Sequence, residues 1–319
     1  MPRPVMSFAA YWICSSALAA PTLFAVDAPT GTLVRVNAAT GYIVEVGVIN
    51  LGVGTGAVTD LASDGGRLFV LNSIYPNGAF IGEVNPGTAA TLSSAQVTEG
   101  GSGAVNAIES LSTDQHGNLI VALWQPGSPG AASSNNLGVL TLTGEVTGVV
   151  NLGPSADFDG LGRDPNGDMV GLNREPGPNY VQLLNVSHTP PGQQVIVTLP
   201  FSGEFNLVDD CAVLGGDIIT MDRDFKRLNR HDRATGQITS FVNYTADYSI
   251  YIMTVVDVCA GDVDGDGFVG FADLNLTLGA FNSLNGDATY DGSADQDIDG
   301  DVDFADLNLV LSGFNAACP

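Results

Sequence analysis

Four stretches of the chain align at a constant interval of 50 residues. They are Val58-Thr59-Asp60-Leu61-Ala62-Ser63-Asp64, Ile108-Glu109-Ser110-Leu111-Ser112-Thr113-Asp114, Phe158-Asp159-Gly160-Leu161-Gly162-Arg163-Asp164 and Val208-Asp209-Asp210-Cys211-Ala212-Val213-Leu214. A Gly-containing turn and an apolar run follow: Arg67-Leu68-Phe69-Val70-Leu71, Asn118-Leu119-Ile120-Val121-Ala122-Leu123, Asp168-Met169-Val170-Gly171-Leu172 and Asp217-Ile218-Ile219-Thr220-Met221. Two more strands around a turn complete each unit. Leu33-Val34-Arg35-Val36-Asn37, the turn Ala38-Ala39-Thr40-Gly41 and Tyr42-Ile43-Val44-Glu45-Val46 are one example, and Arg227 to Thr239 another. Short β-branched runs separated by Gly, Asn and Thr predict strands and tight turns. Each unit therefore reads as a four-stranded antiparallel meander of about 40–50 residues. One such sheet cannot bury both of its apolar faces, but several arranged radially can.

The ends of this repeating body complement each other. The first unit, from Thr22-Leu23-Phe24-Ala25-Val26, lacks a first strand, whereas Ile250-Tyr251-Ile252-Met253-Thr254-Val255-Val256-Asp257 reads as a first strand without followers. Pairing the two closes a ring of five blades and leaves no open sheet edge. A six-bladed ring with one degenerate blade is the alternative, and a pair of β-sandwiches comes third. Over residues 21–257 the chain resembles secreted bacterial β-propellers with N-A-T-G or D-x-x-T-G turns.

The formal net charge of −25 rests on ten Lys or Arg against 35 Asp or Glu. A nucleic-acid binder needs a basic face, so that class is excluded. The charge does not imply disorder, because 45% of residues are hydrophobic and only 14% charged. The charge is unevenly spread: Cys259 to Pro319 holds twelve Asp and no Glu, Lys or Arg, which predicts a domain boundary near 257–261. Residues 1–20 read as a secretory leader, with Arg3, the apolar run Val5 to Cys14, and Ala17 and Ala19 in A-x-A register. No later stretch is long and apolar enough to span a bilayer. The expected location is extracellular or at the cell surface.

Within the acidic tail, Asp262-Val263-Asp264-Gly265-Asp266-Gly267-Phe268-Val269-Gly270-Phe271-Ala272-Asp273 fits a twelve-residue EF-hand-type calcium loop. Ca²⁺ takes six to eight oxygens. Asp262, Asp264 and Asp266 fill positions 1, 3 and 5, and Gly267 permits the turn at position 6. Phe268 offers its carbonyl at position 7, Gly270 leaves room for water at position 9, and Asp273 closes at position 12. A second copy lies 33 residues on, with Asp295, Asp297, Asp299, Asp301, Asp303 and Asp306 at the same places. Two ions are expected. After each loop, Phe271, Leu274, Leu278 and Phe281, or Phe304, Leu307, Leu311 and Phe314, fall at helical spacing.

Two loop–helix units without entering helices resemble a type I dockerin over residues 258–319. The expected fold is thus mainly β, a five-bladed β-propeller followed by a small α calcium-binding dockerin-like domain. The resemblance implies a tail that folds on calcium and docks on a cohesin-like or cell-surface protein. Its partner contacts would lie at positions 10 and 11, where small polar residues are usual and this chain has Phe271-Ala272 and Phe304-Ala305.

Cys259 and Cys318 bracket the tail and are expected to pair if export oxidises them; Cys211 with Cys259 is the other pairing. Cys211 reads as a buried apolar residue. Arg223, Lys226, Arg227, Arg230 and Arg233 read as a solvated face balanced by Asp222, Asp224 and Asp232 rather than as an anion site. No catalytic signature is present, and His116, His188 and His231 read as turn or surface residues. Asp60, Glu109, Asp159 and Asp209 could approach one another around the ring axis. The leading expectation is a secreted non-catalytic protein, its propeller binding a glycan or protein and its tail attaching it outside the cell. The alternative is an extracellular polysaccharide-degrading enzyme, a glycoside hydrolase or lyase, recruited by its tail to polysaccharide catabolism.

Overall fold

The computed structural model describes residues 19–52, 58–74, 78–99, 108–123, 136–152, 158–164, 166–173, 180–200, 208–245 and 247–318. The expected leader lies outside the described residues apart from Ala19 and Ala20. Blade 1 comprises β1 (Ala19–Asp27), β2 (Thr32–Val36) and β3 (Ile43–Val48). Blade 2 comprises β4 (Val58–Asp64), β5 (Arg67–Ile74), β6 (Gly78–Val84) and β7 (Thr91–Gln96). A two-residue strand, β8 (Thr98–Glu99), crosses to the edge of blade 3, which consists of β9 (Ile108–Thr113), β10 (Leu119–Leu123), β11 (Asn136–Leu140) and β12 (Glu145–Asn151). Blade 4 holds β13 (Phe158–Arg163), β14 (Met169–Asn173), β15 (Tyr180–Ser187) and β16 (Gly192–Pro200). Blade 5 holds β17 (Val208–Leu214), β18 (Asp217–Asp222), β19 (Arg227–His231) and β20 (Ile238–Asn243).

The missing strand of blade 1 is β21 (Ile250–Cys259), which pairs antiparallel with β1 from Ala19↔Cys259 to Asp27↔Ile250. The five innermost strands, β21, β4, β9, β13 and β17, pack on one another in that order, and β17 returns to β21. The molecule is a closed five-bladed β-propeller, so the six-bladed and sandwich alternatives are set aside.

The core is divided among the blade interfaces. Separate apolar clusters lie between blades 1 and 2 (around Phe24, Leu33, Leu68), 2 and 3 (Phe69, Leu111, Val121), 3 and 4 (Ile120, Phe158, Met169), 4 and 5 (Val170, Leu183, Cys211), and 5 and 1 (Leu23, Ile219, Met253). Strands covered on both faces read as unbroken apolar runs: every residue of β2, β10 and β14 is buried. The outer strands β7 and β20 are almost wholly exposed, and their polar sequences follow.

The repeated turn between the third and fourth strands has a local cause. Asn37 Oδ1 accepts from the Ala39 and Thr40 amides, and Gly41 takes the left-handed conformation at φ 76°. An Asx side chain closing its own turn, followed by a residue without Cβ, fixes this geometry. Asn85 and Asp232 likewise accept from the amides of their own turns, and the left-handed residue that follows is Ala89 after Asn85 and Gly236 after Asp232.

After β21 come two loop–helix units whose helices are α1 (Phe271–Ala280) and α2 (Phe304–Gly313). They pack against each other over Val263, Val269, Ala280, Val302 and Val310. The helices bury Asp273, Thr277 and Ala280, and Asp306, Val310 and Gly313. The stripe expected from helical spacing does not form the core side: Phe271, Leu278, Phe304 and Leu311 are exposed by 72, 50, 67 and 51%. The reason is the position-12 carboxylate. It must turn inward to its own loop, which rotates the apolar stripe outward. Edge-to-face pairs Phe271–Phe314 and Phe281–Phe304, each at 5.0 Å, tie the two helices on that outer side. Cys259 and Cys318 are disulfide-bonded, and Cys211 is a buried free thiol.

Candidate metal centre

The two loops show the same internal wiring. In the first, Asp262 accepts from the amides of Asp266 and Gly267, and Asp273 from those of Val263, Asp264 and Gly270. In the second, Asp295 accepts from Asp299 and Gly300, and Asp306 from Gln296, Asp297 and Asp303. Positions 1 and 12 thus hold the loop closed through its amide hydrogens, with the remaining lone pairs turned inward.

Carboxylate oxygens of Asp262, Asp264 and Asp273 converge within 4.8 Å of one another. That is the span of two oxygens on opposite sides of a calcium ion, whose Ca–O distances are about 2.3–2.6 Å. In the second loop, Asp295, Asp297 and Asp299 form one such group and Asp301, Asp303 and Asp306 another. Asp266 is exposed and does not join the first group; its carboxylate instead accepts from the Phe268 amide. Phe268 begins a two-residue ladder with Ala317, and Gly270 is the residue before α1. The donor set fits a hard divalent cation on three grounds. All donors are oxygens, no Lys or Arg lies within the tail, and Asp301 Oδ1 is buried without a hydrogen-bond partner.

Like charges crowd in both loops. Burial, reinforced by Asp273 and Asp266, pushes Asp262 up to about 6. Burial and the charges of Asp306, Asp299, Asp295 and Asp303 likewise push Asp297 up to about 6. Asp262 also lines a cavity of about 260 Å³ between the tail and blades 1 and 2, with Arg35, Arg67 and Gln296.

Several contributors carry no sequence signature. Tyr290 donates its hydroxyl to Asp295 Oδ2 at 2.6 Å. From the propeller, fully buried Arg35 donates Nη2 to the carbonyls of Gly292 and Asp295, the latter at 2.7 Å. Asn37 donates to Ile298 O, and Asn85 to Asp264 O and Gly265 O. Tyr42 accepts from Asn285.

The carboxylates expected at the ring axis do not gather into a site among the described residues. Asp60 is buried and accepts from the Leu61 amide on its own strand and the Leu111 amide on the next blade. Its register equivalent is Asp210, not Asp209; Asp210 accepts from Cys211 N and from Met253 N on β21. The interval of 50 carries that signal directly. These two carboxylates lace neighbouring inner strands together. Glu109 and Asp159 are half-buried, and the Asp209 side chain lies outside the described residues.

The basic cluster is paired, though not with every acid expected. Arg227 meets Asp222, Arg230 meets Asp217 at 2.8 Å, and Arg233 meets Asp164 on blade 4. His116 and His188 lie in turns. His231 is a correction: it is wholly buried in β19, between Thr220 Oγ1 and Gly236 O, where burial lowers its basicity.

No protein-family model matches the chain, and no curated protein matches it in sequence. Solved structures do match in shape. A Bacteroides caccae protein of unknown function covers 75% of this chain and 100% of its own, at 13% identity and a TM-score of 0.44. A chain of the nidogen/laminin complex covers 75% and 99%, at 10% identity and 0.48. The Pseudomonas aeruginosa periplasmic gluconolactonase covers 74% and 98%, at 11% identity and 0.42.

Proposed function

We propose that this is an exported calcium-binding propeller protein. Its dockerin-like tail, residues 258–319, binds two Ca²⁺ and attaches the molecule to a cohesin-like or cell-surface protein. The propeller, residues 21–257, serves as the module that holds a glycan or protein ligand. The observation that carries the reading is the convergence of Asp262, Asp264 and Asp273, answered by Asp295, Asp297 and Asp299 in a second loop with the same amide wiring. When bound, Ca²⁺ would neutralise the crowded carboxylates and cross-link each loop to its helix. The chain's own part is to present the oxygens. Asp262 and Asp295 open the loops, Gly267 and Gly300 make the sharp turns at φ 87° and 102°, and Asp273 and Asp306 anchor the helix starts. Export is supported by the leader-type sequence of residues 1–20 and by a disulfide that an oxidising compartment would keep. Among the described residues no helix is long and apolar enough to cross a membrane. Attachment is supported by the exposed Phe271, Leu278, Phe304 and Leu311 on two nearly identical helices.

The test is calcium titration calorimetry on the chain lacking residues 1–18. Two ions per chain are expected, and Asp262→Ala with Asp295→Ala should abolish both. Fewer than two sites in the parent, or unchanged binding in the double variant, would refute the reading.

A further inference from the structure

We infer that the propeller itself positions the two metal loops, Asn85 holding the first and Asn37 with Arg35 the second, so that ion loading and propeller stability form one equilibrium. The inference rests on the calcium reading above and adds residues that lie outside the tail.

The geometry repeats. Asn37 and Asn85 are the first residues after β2 and β6, the third strands of blades 1 and 2. Each uses its Oδ1 to close its own turn, which leaves Nδ2 free to donate away from the blade. Asn85 Nδ2 donates to Gly265 O at 2.8 Å and Asn37 Nδ2 to Ile298 O at 3.2 Å. Gly265 and Ile298 are both position 4 of their loops, and both take positive φ, 69° and 57°. The same atom of each loop therefore meets the same atom of successive blades. The duplication within the tail is matched to the repeat of the ring.

The residue type is confined to the blades that the tail touches. The equivalent positions after β11, β15 and β19 are Thr141, His188 and Asp232. None offers an amide donor. The fit is also close: a Cβ on Gly87 would lie 2.9 Å from Val263 O, and one on Gly292 would lie 2.5 Å from Glu45 O. Arg35 adds a difference between the loops. It supplies a buried cation beside Asp295 and Asp306, whereas Glu83, two residues before Asn85 as Arg35 is before Asn37, is paired with Arg67. The second loop thus has a buried guanidinium beside its carboxylates, whereas Arg67, near the first, is engaged by Glu83.

Ordering passes to the ring by a short path. The tail begins where β21 ends, and Cys259 both faces Ala19 in the closing ladder and carries the disulfide to Cys318. Outer contacts that hold metal-ligating groups commonly tune affinity about 10–100-fold, and a ligand that binds only the folded state raises its melting temperature.

The experiment compares the parent chain with Asn37→Thr plus Asn85→Thr. Thr141, in the shorter turn at the corresponding place of blade 3, closes its turn by accepting from the Glu145 amide, so Thr keeps a turn-closing oxygen while removing the outward amide donor. The readout is the calcium-induced rise of each chain over its own ion-free melt, which cancels any change in the turn itself. Among the described residues the tail's strands are only two residues long, so loss of the β-sheet circular-dichroism signal reports melting of the propeller. Saturating Ca²⁺ should raise the parent's propeller melting temperature by at least about 5 °C. The double variant should bind both ions about tenfold more weakly or worse and lose more than half of that rise. Two bound ions with an unmoved propeller melt in the parent would overturn the coupling while leaving the calcium reading intact, as would parent-like binding and melting in the variant. No binding by the parent would overturn both.

Discussion

At the residue scale, Asp60 shows how a carboxylate can serve the ring without chemistry. Its burial pushes it up to about 8, while the amides of Leu111 and Leu61 pull it down. An unfolded Asp titrates near 3.9. Between those values the unfolded chain is ionised and the folded one protonated, so folding takes up a proton and stability falls as pH rises. This one group should make stability fall as pH rises through that interval, by at most about 1.4 kcal/mol per pH unit. Urea unfolding across that range should therefore show a flatter profile for Asp60→Asn; an unchanged slope would refute the assignment. Asp210 was legible only in part. Its place in the 50-residue interval is plain, but the amide it accepts from on β21 lies 43 positions away and has no residue type to mark it.

At the scale of elements, two predictions concern the tail. The 59-residue span between Cys259 and Cys318 gives a cross-link worth about 4 kcal/mol in the chain-entropy model. Replacing both cysteines with Ser should lower the free energy of unfolding by up to that amount, read by chemical denaturation. The outward faces of α1 and α2 are a separate matter. Phe271 and Phe304 are mostly exposed but each makes an edge-to-face pair, so changing both to Ser should cost about 0.5–1.5 kcal/mol each. If this face carries attachment, the same change should abolish retention of the protein on the envelope of its source cells. Retention equal to the parent's would discard that face as the contact. The helical period itself was visible in the sequence, but not which side it would present. Spacing alone does not say that Asp273 and Asp306, rather than the Phe and Leu residues, take the buried side.

At the scale of the molecule, the charge separates into two parts with different physical consequences. The propeller's 23 acids are interspersed along the sequence with nine bases, whereas the tail's twelve Asp share their segment with no Lys or Arg. Self-repulsion in the ion-free tail should be screened by salt over about 10 Å at 0.1 M. The stabilisation brought by Ca²⁺ should accordingly be greatest at low ionic strength, measured as the melting shift at about 10 mM against about 500 mM salt. An equal shift at both would show that the ion acts by geometry alone.

The sequence by itself determined the repeating four-strand unit, the strand exchange that closes the ring and both candidate metal loops, and left the structure to choose five blades over six and Cys318 over Cys211 as the partner of Cys259. The first three follow from periodicity, from complementary ends and from fixed ligand spacing, all of which are local or repeated along the chain. Only the tertiary structure decided where the tail sits. Its contacts join backbone carbonyls of the loops to Asn37, Asn85 and Arg35, some 180 to 260 positions away. A backbone carbonyl has no residue type, and each Asn is already accounted for by the turn it closes, so neither end of the contact marks itself in the sequence.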